Sequence, residues 1–327
     1  MSRPLRWGLL GTARINRRLI PAMRAARRSM LTAVASRQPA RAEAYAREWE
    51  IPVAHGSYDA LLRDRGVDAV YLPLPNALHV EWTLRALDAG KHVLCEKPLA
   101  LTPEDVERIE AVARAGGRVV AEAFMYRHEP LIARIVALVG NGEVGPVTHM
   151  SAGFTYLQTR APDVRLDPAL GGGSLWDVGC YGVSVVRLIA GAEPTTALGC
   201  ATMTATGVDE SFSGLLQFPA GVVASVHSSF RTPYRTWLEI AGSRGVLIVP
   251  RPFRPEASDT IEIRRGEEVL RETIEGSPLL FVRQIDDFVC AALDGRRPAV
   301  ALSDSRGNAA ALAALYESAR SRRAVTI

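Results

Sequence analysis

Residues 6–16 read RWGLLGTARIN, and this stretch decides the fold class. Its first five residues are a short, mostly apolar run, Gly11 breaks it, and ARIN opens a run with helical spacing. A strand that turns at glycine directly into a helix is the entry to a βαβ unit. At such a turn backbone N–H groups and the positive end of the helix dipole converge on one point, which suits a pyrophosphate. The usual fingerprint is G-x-G-x-x-G. Here its positions hold Gly11, Ala13 and Asn16, with Gly8 upstream. The match is partial, so its weight comes from the elements downstream of the turn.

Strand and helix then alternate strictly. LTAVAS (31–36) reads as a strand, PARAEAYAREW (39–49) as a helix, and VDAVYLPL (67–74) as a strand. The last is continuously apolar, as a sheet covered on both faces requires. ALHVEWTLRALDAG (77–90) is an amphipathic helix, KHVLC (91–95) a strand and RVVAEAF (118–124) another. Between these two strands, TPEDVERIEAVARAGG has Thr102 placed as an N-cap, Pro103 at the first helical position and acids in the first turn. After Phe124 short strands divided by turn signals dominate, interrupted by helices in GGGSLWDVGCYGVSVVRLIAG (171–191), PLLFVRQIDDFVCAALDG (278–295) and SDSRGNAAALAALYESAR (303–320). The expectation is an α/β fold: an N-terminal Rossmann domain with a doubly wound parallel sheet (residues 1–123), then a C-terminal α+β domain on a large, mostly antiparallel open sheet (residues 124–327).

A chain of 327 residues is long enough for two such domains. The start lacks the long apolar core of a signal peptide, and no apolar stretch reaches the length of a membrane span, so a cytoplasmic protein is expected. Cys95, Cys180, Cys200 and Cys290 lie in apolar surroundings without ligand spacing; buried free thiols are expected, and no metal site. The net charge of +4 comes without a basic stripe interleaved with aromatics, so nucleic acid is not an expected partner.

The end of the second strand discriminates the cofactor. An NAD site offers an acid there to hold the ribose 2′-hydroxyl, whereas a 2′-phosphate calls for arginine. This chain has AVASRQPAR (33–41), placing Ser36 and Arg37 there with no acid until Glu43, and Arg14 lies just past the glycine turn. A guanidinium grips phosphate through paired hydrogen bonds and a hydroxyl adds a donor, so NADP(H) is the expected cofactor. In the second domain Asp177 and Tyr181 are four residues apart, on one helix face about one turn from each other. A carboxylate and a phenol projecting together suit proton transfer. A free tyrosine titrates near pH 10, so the phenol needs a cation to work near neutrality. Lys97, in EKP (96–98), is the candidate for that cation.

The chain resembles the glucose–fructose oxidoreductase / inositol dehydrogenase (Gfo/Idh/MocA) family along essentially its whole length. The carriers are GLLGTARI (8–15), PLPNALH (73–79), EKPLALT (96–102), EAFMYRHEP (122–130) and GGGSLWDVGCYGV (171–183), five motifs in order. The resemblance implies catalytic roles for Lys97, Asp177 and Tyr181. It implies cofactor contacts from Gly11, Thr12, Ala13, Arg14, Ile15, Ser36, Arg37, Leu74, Asn76, His79, Glu96, Lys97 and Arg165. Arg127, Tyr156 and Trp176 would line a substrate pocket beside Asp177 and Tyr181. Many members carry histidine four residues after the aspartate. Tyr181 instead resembles the branch of dihydrodiol dehydrogenases, NADP-linked xylose dehydrogenases and sugar ketoreductases. The implied protein is an NADP(H)-dependent oxidoreductase acting on a sugar-like alcohol, lactol or ketone, assembled as a homodimer or homotetramer through the C-terminal sheet. A dehydrogenase of non-sugar cyclic diols, or a catalytically silent NADP-binding regulator, is the alternative.

Overall fold

β1 (Leu5–Leu10) is buried along almost its whole length, with Trp7, Leu9 and Leu10 at 0% exposure. The computed structural model describes residues 3–327. β1 is joined by β2 (Ser29–Ala35), β3 (Val53–His55), β4 (Ala69–Leu72), β5 (His92–Cys95) and β6 (Val120–Glu122) in one parallel sheet, ordered β3-β2-β1-β4-β5-β6. This is the doubly wound order expected of a Rossmann domain. Its winding reverses between β1 and β4, and ligands of such sheets sit at the carboxyl ends of the strands at that reversal. The connections are α1 (Asn16–Ala25), α2 (Pro39–Glu48), α3 (Tyr58–Arg63), α4 (His79–Asp88) and α5 (Pro103–Gly116). α5 begins as its sequence dictates, with the Thr102 hydroxyl accepting from the Asp105 N–H at 3.2 Å.

The chain divides into two compact units, residues 3–125 with Leu279–Arg306, and Tyr126–Pro278 with Gly307–Ile327. The return of Leu279–Arg306 to the first unit is not announced by any local pattern. It brings the helix Val282–Asp294, whose Phe288 packs on Trp7 with ring centroids 5.0 Å apart. Truncating a buried aromatic of this kind costs about 3–5 kcal/mol.

The first α-helix of the second unit is α6 (Pro130–Gly140), which has Pro130 in its first turn and buries Leu131, Ile132, Ile135 and Leu138 along one face. Its nine-stranded sheet holds β7 (Val147–Thr155), β8 (Thr196–Met203), β9 (Asp209–Gln217), β10 (Val223–Ser229), β11 (Arg235–Gly242), β12 (Gly245–Val249), β13 (Ser258–Arg265), β14 (Glu268–Glu275) and β15 (Val325–Thr326). All neighbours are antiparallel except β7 and β10. Burial alternates along β9 and β11, so one face of the sheet is covered and the other open. α7 (Cys180–Ala190) lies in the buried layer. The open face carries Leu198 and Leu215, paired across β8 and β9 and both 44% exposed. Cys200, two residues along β8 from Leu198, is also exposed, which corrects the expectation of four buried thiols; Cys95 and Cys180 are buried and Cys290 half-buried, and none of the four is in a disulfide. Among the described residues no helix is long and apolar enough to cross a membrane.

His92, at the start of β5, accepts a hydrogen bond from the Val119 N–H on Nδ1 at 3.0 Å, which only the neutral ring can do. Burial, reinforced by the Arg118 guanidinium, lowers its pKa to about 4. The unfolded chain therefore binds the proton more readily. This contribution to stability is present above the ordinary histidine pKa of about 6.5 and is lost as pH falls towards 4. Thermal unfolding of wild type and His92→Gln across that window tests this. The variant is expected to lose less stability on acidification, and parallel curves would refute the assignment.

Candidate active site

The first unit gathers its motif residues at the carboxyl edge of the sheet. Gly11 ends β1 at φ +118°, a conformation only glycine adopts freely, and a Cβ there would come within 3.3 Å of Leu74 and 3.6 Å of the Tyr58 hydroxyl. The Gly11 N–H donates to the Ala35 carbonyl at 3.0 Å, and the buried Asn16 amide donates back to the Gly11 carbonyl at 2.9 Å. Thr12, Ala13 and Ile15 are half-buried and Arg14 exposed, leading into the first turn of α1. Backbone approaches such a turn closely only where no side chain intervenes, so the cradle fits a pyrophosphate.

The end of β2 lies alongside. Ser36 is buried and its hydroxyl accepts from the Gln38 N–H at 3.3 Å, while Arg37 is exposed. Tyr58, at the first position of α3, belongs to no motif and escapes a reading of the sequence alone. Burial raises its phenol pKa, and the Arg37 and Arg41 guanidiniums beside it pull the other way. Two guanidiniums, a hydroxyl and a phenol at this strand end, with no carboxylate from 36 to 42, fit a ribose 2′-phosphate better than a bare 2′-hydroxyl.

His79 connects the loops after β4 and β5. It is fully buried, and its ring nitrogens lie 2.8 Å from the Leu74 carbonyl and 2.7 Å from the Pro98 carbonyl. Burial lowers its pKa to about 4 against the pull of those carbonyls, and the Lys97 ammonium adds to the lowering. A carbonyl oxygen only accepts, so each of these contacts is made by a ring nitrogen that carries a proton. The Tyr71 hydroxyl donates to the Glu96 carboxylate, while half-buried Asn76 opens the short 3₁₀ turn before α4. Lys97, half-buried, stands between Glu96 and Pro98 on this braced edge.

The second unit holds Asp177 and Tyr181, the expected acid–base pair. Residues Leu175–Gly179 form a π-helical turn that runs into α7, so Asp177 lies on the wider turn and Tyr181 on the α-helix proper. Simple i, i+4 α-helical geometry does not foresee that widening. Asp177 accepts from the Tyr156 hydroxyl at 2.6 Å and from Arg165 Nε at 3.0 Å, and Arg165 also reaches Asp163 at 3.2 Å. Burial and the Asp177 charge push the Tyr156 phenol well above its ordinary value, while Asp177 raises the Arg165 pKa. Tyr181 is 5% exposed, its ring within 5.7 Å of those of Tyr126, Phe154 and Phe253, which fix its orientation. Arg127 donates to the Ser184 hydroxyl at 3.3 Å, and Trp176 packs on Tyr316 at 4.9 Å. The aromatic cage and the Arg165–Asp177 pairing join residues far apart in sequence, so no local motif could have revealed them.

A doubly wound sheet with this glycine cradle, together with a unit carrying a buried phenol and an anchored carboxylate, defines a dinucleotide-dependent oxidoreductase. The chain belongs to the GFO/IDH/MocA oxidoreductase family: residues 5–124 match its NAD-binding Rossmann fold and residues 132–248 its C-terminal domain. It is 38% identical to D-xylose 1-dehydrogenase (NADP(+)) 2 of Haloferax volcanii, over 98% of this chain and 99% of that one. It is 39% identical to the dTDP-3,4-didehydro-2,6-dideoxy-alpha-D-glucose 3-reductase of Saccharopolyspora spinosa, over 81% and 80%. A 3-ketoreductase from Actinomadura kijaniata, solved with NADP and TDP-benzene, superposes with a TM-score of 0.92 at 33% identity, over 97% of this chain and 98% of that one.

Because His79 is the buried donor between the two loops, His79→Leu leaves a carbonyl without its partner at similar side-chain volume. Urea unfolding is expected to report a loss of about 1–3 kcal/mol. An unchanged midpoint would remove His79 from this bracing role.

Proposed function

We propose that this protein is an NADP(H)-dependent oxidoreductase that interconverts a secondary alcohol or lactol with the matching carbonyl of a sugar-like substrate. The observation that carries the cofactor reading is the set of groups at the end of β2: Ser36, Arg37 and the Arg41-flanked Tyr58 hydroxyl, where an acid would otherwise stand. The substrate reading is supported by relatives named for D-xylose and for a dTDP-linked keto-sugar, each matching over about four-fifths of this chain or more.

When bound, NADP(H) supplies or takes up the hydride. Tyr181 moves the hydroxyl proton, and Lys97 supplies the cation that favours its phenolate and steadies negative charge on the substrate oxygen. Asp177, already clamped by Arg165 and Tyr156, offers a fixed acceptor to a substrate hydroxyl. Arg127 and Trp176 furnish polar and flat apolar surface suited to a ring bearing several hydroxyls. The open sheet face around Leu198 and Leu215 is the surface through which a homodimer or homotetramer would form.

Two experiments test this reading. Fluorescence titration is expected to give at least about tenfold tighter binding of NADPH than of NADH, with Arg37→Asp erasing or reversing the ratio. Equal affinities in wild type would sink the cofactor assignment. A panel of aldoses, keto-sugars, dihydrodiols and simple alcohols, followed at the nicotinamide absorbance in both directions, should give turnover on sugars. Lys97→Ala and Tyr181→Phe should each lower that turnover by about two orders of magnitude with NADPH affinity kept. Turnover on non-carbohydrates alone would leave a dehydrogenase but overturn the sugar reading. A fully active Lys97→Ala enzyme would remove Lys97 from the chemistry.

A further inference from the structure

Asp209, the first residue of β9, is 1% exposed and binds the residues that precede Asp177. Its Oδ2 accepts from the Ser174 hydroxyl at 2.7 Å and from the Leu175 N–H at 2.8 Å, and its Oδ1 accepts from the Tyr316 hydroxyl at 2.6 Å. All three donors are neutral. Leu175 opens the helical run that carries Asp177 and Tyr181, and a first-turn N–H has no partner inside its own helix. A carboxylate delivered there from another strand does what an N-cap side chain does, with a full charge facing the positive end of the helix dipole.

The surroundings are shaped around this carboxylate. Gly173, at φ +125°, passes so close that a Cβ would overlap Asp209 Oδ1 and lie 2.7 Å from the Tyr316 hydroxyl. Ser174, fully buried, shares a second contact with the Ser228 hydroxyl at 2.9 Å. Tyr316 brings a further consequence, because its ring packs on Trp176. One carboxylate thus holds the backbone at 174–175 directly and the Trp176 ring through one intermediary.

We infer that Asp209 is the positioning residue of the active-site helix: it fixes the segment Ser174–Tyr181, and thereby Asp177, Tyr181 and Trp176, without touching substrate. Its consequence for turnover rests on the function proposed above; its consequence for the segment does not. Displacing reacting groups by about 1 Å costs about a hundredfold in rate, so a residue that sets the helix start governs kcat more than cofactor affinity.

The test uses the full chain with Asp209→Asn, Asp209→Ala and Tyr316→Phe. Asp209→Asn keeps the shape and removes the charge, and Tyr316→Phe removes one donor while keeping the ring on Trp176. Hydrogen exchange resolved to residues 174–181 is expected to speed up by about tenfold in Asp209→Ala and by less in the other two, with exchange in β7 and β10 unchanged. With NADP and D-xylose as probes, kcat should fall by about tenfold or more in Asp209→Ala, with Kd for NADP within about twofold of wild type. Unchanged exchange in the segment, or a uniform acceleration across the second unit, would overturn the inference. Full turnover despite faster local exchange would overturn its catalytic part. Should Asp209→Ala not fold, unchanged exchange in both Asp209→Asn and Tyr316→Phe overturns it equally. Should wild type not turn over D-xylose, the substrate proposal is what that result bears on, and exchange alone decides the role of Asp209.

Discussion

The buried imidazole of His79, lying between the carbonyls of Leu74 and Pro98, is the contact on which the cofactor edge of the first unit depends. A parallel sheet leaves its functional groups on loops after the strands, and loops are the most mobile part of a fold. One rigid ring in the interior joins two of these loops, so Asn76, Glu96 and Lys97 are carried on a single braced edge. The Tyr71–Glu96 hydrogen bond ties that edge to β4. Burial and the Lys97 ammonium disfavour a charge on the ring, while the two carbonyls favour it.

The second unit treats two carboxylates differently according to what surrounds them. Asp177 is 14% exposed on its side chain and faces the Arg165 guanidinium, a partner that favours its charged form. Asp209 is enclosed and bonded to neutral donors, so burial raises its pKa while Tyr316, Ser174 and the Leu175 N–H pull it back. The first is the one proposed to meet a ligand, the second the one inferred to hold the helix that carries the first. The two are linked along the chain: Gly173 passes close to Asp209, and Trp176, the residue before Asp177, packs on Tyr316, the donor to Asp209.

The parallel sheet and its glycine turn were legible because βαβ grammar is local: each strand, turn and helix declares itself within about a dozen residues. For the same reason the motif residues at strand ends, Gly11, Ser36, Arg37, His79 and Lys97, could be located before their surroundings were known. What was not legible depends on distant pairing. Arg165 could be named as a cofactor contact from the resemblance, but its grip on Asp177 could not. Tyr58, Asp209 and Tyr316 sit in stretches with no motif at all. The return of Leu279–Arg306 to the first unit, and the exposure of Cys200 on an open sheet face, are likewise set by tertiary context. The π turn at Leu175–Gly179 escapes because its residues have no composition that separates it from an α-helix.

These differences bear on how one family serves several substrates. The groups proposed to supply the cation and move the proton are held apart from any long irregular segment: Lys97 two residues past β5, and Tyr181 on a helix within an aromatic cage. The residues between Tyr156 and Gly173 belong to no strand and no long helix, only to two short 3₁₀ turns. Yet this segment supplies Tyr156 and Arg165, the two groups that clamp Asp177. Under the function proposed above, a substitution in the segment alters which hydroxyl Asp177 receives and leaves Lys97 and Tyr181 in place. Discrimination between ring substrates is a difference of a few kcal/mol in such contacts, well within what one displaced hydrogen bond supplies. Lys97 belongs to the first unit and Tyr181 to a helix of the second, whereas the clamp on Asp177 comes from the irregular segment, so the proposed chemistry and the proposed discrimination rest on different parts of the chain.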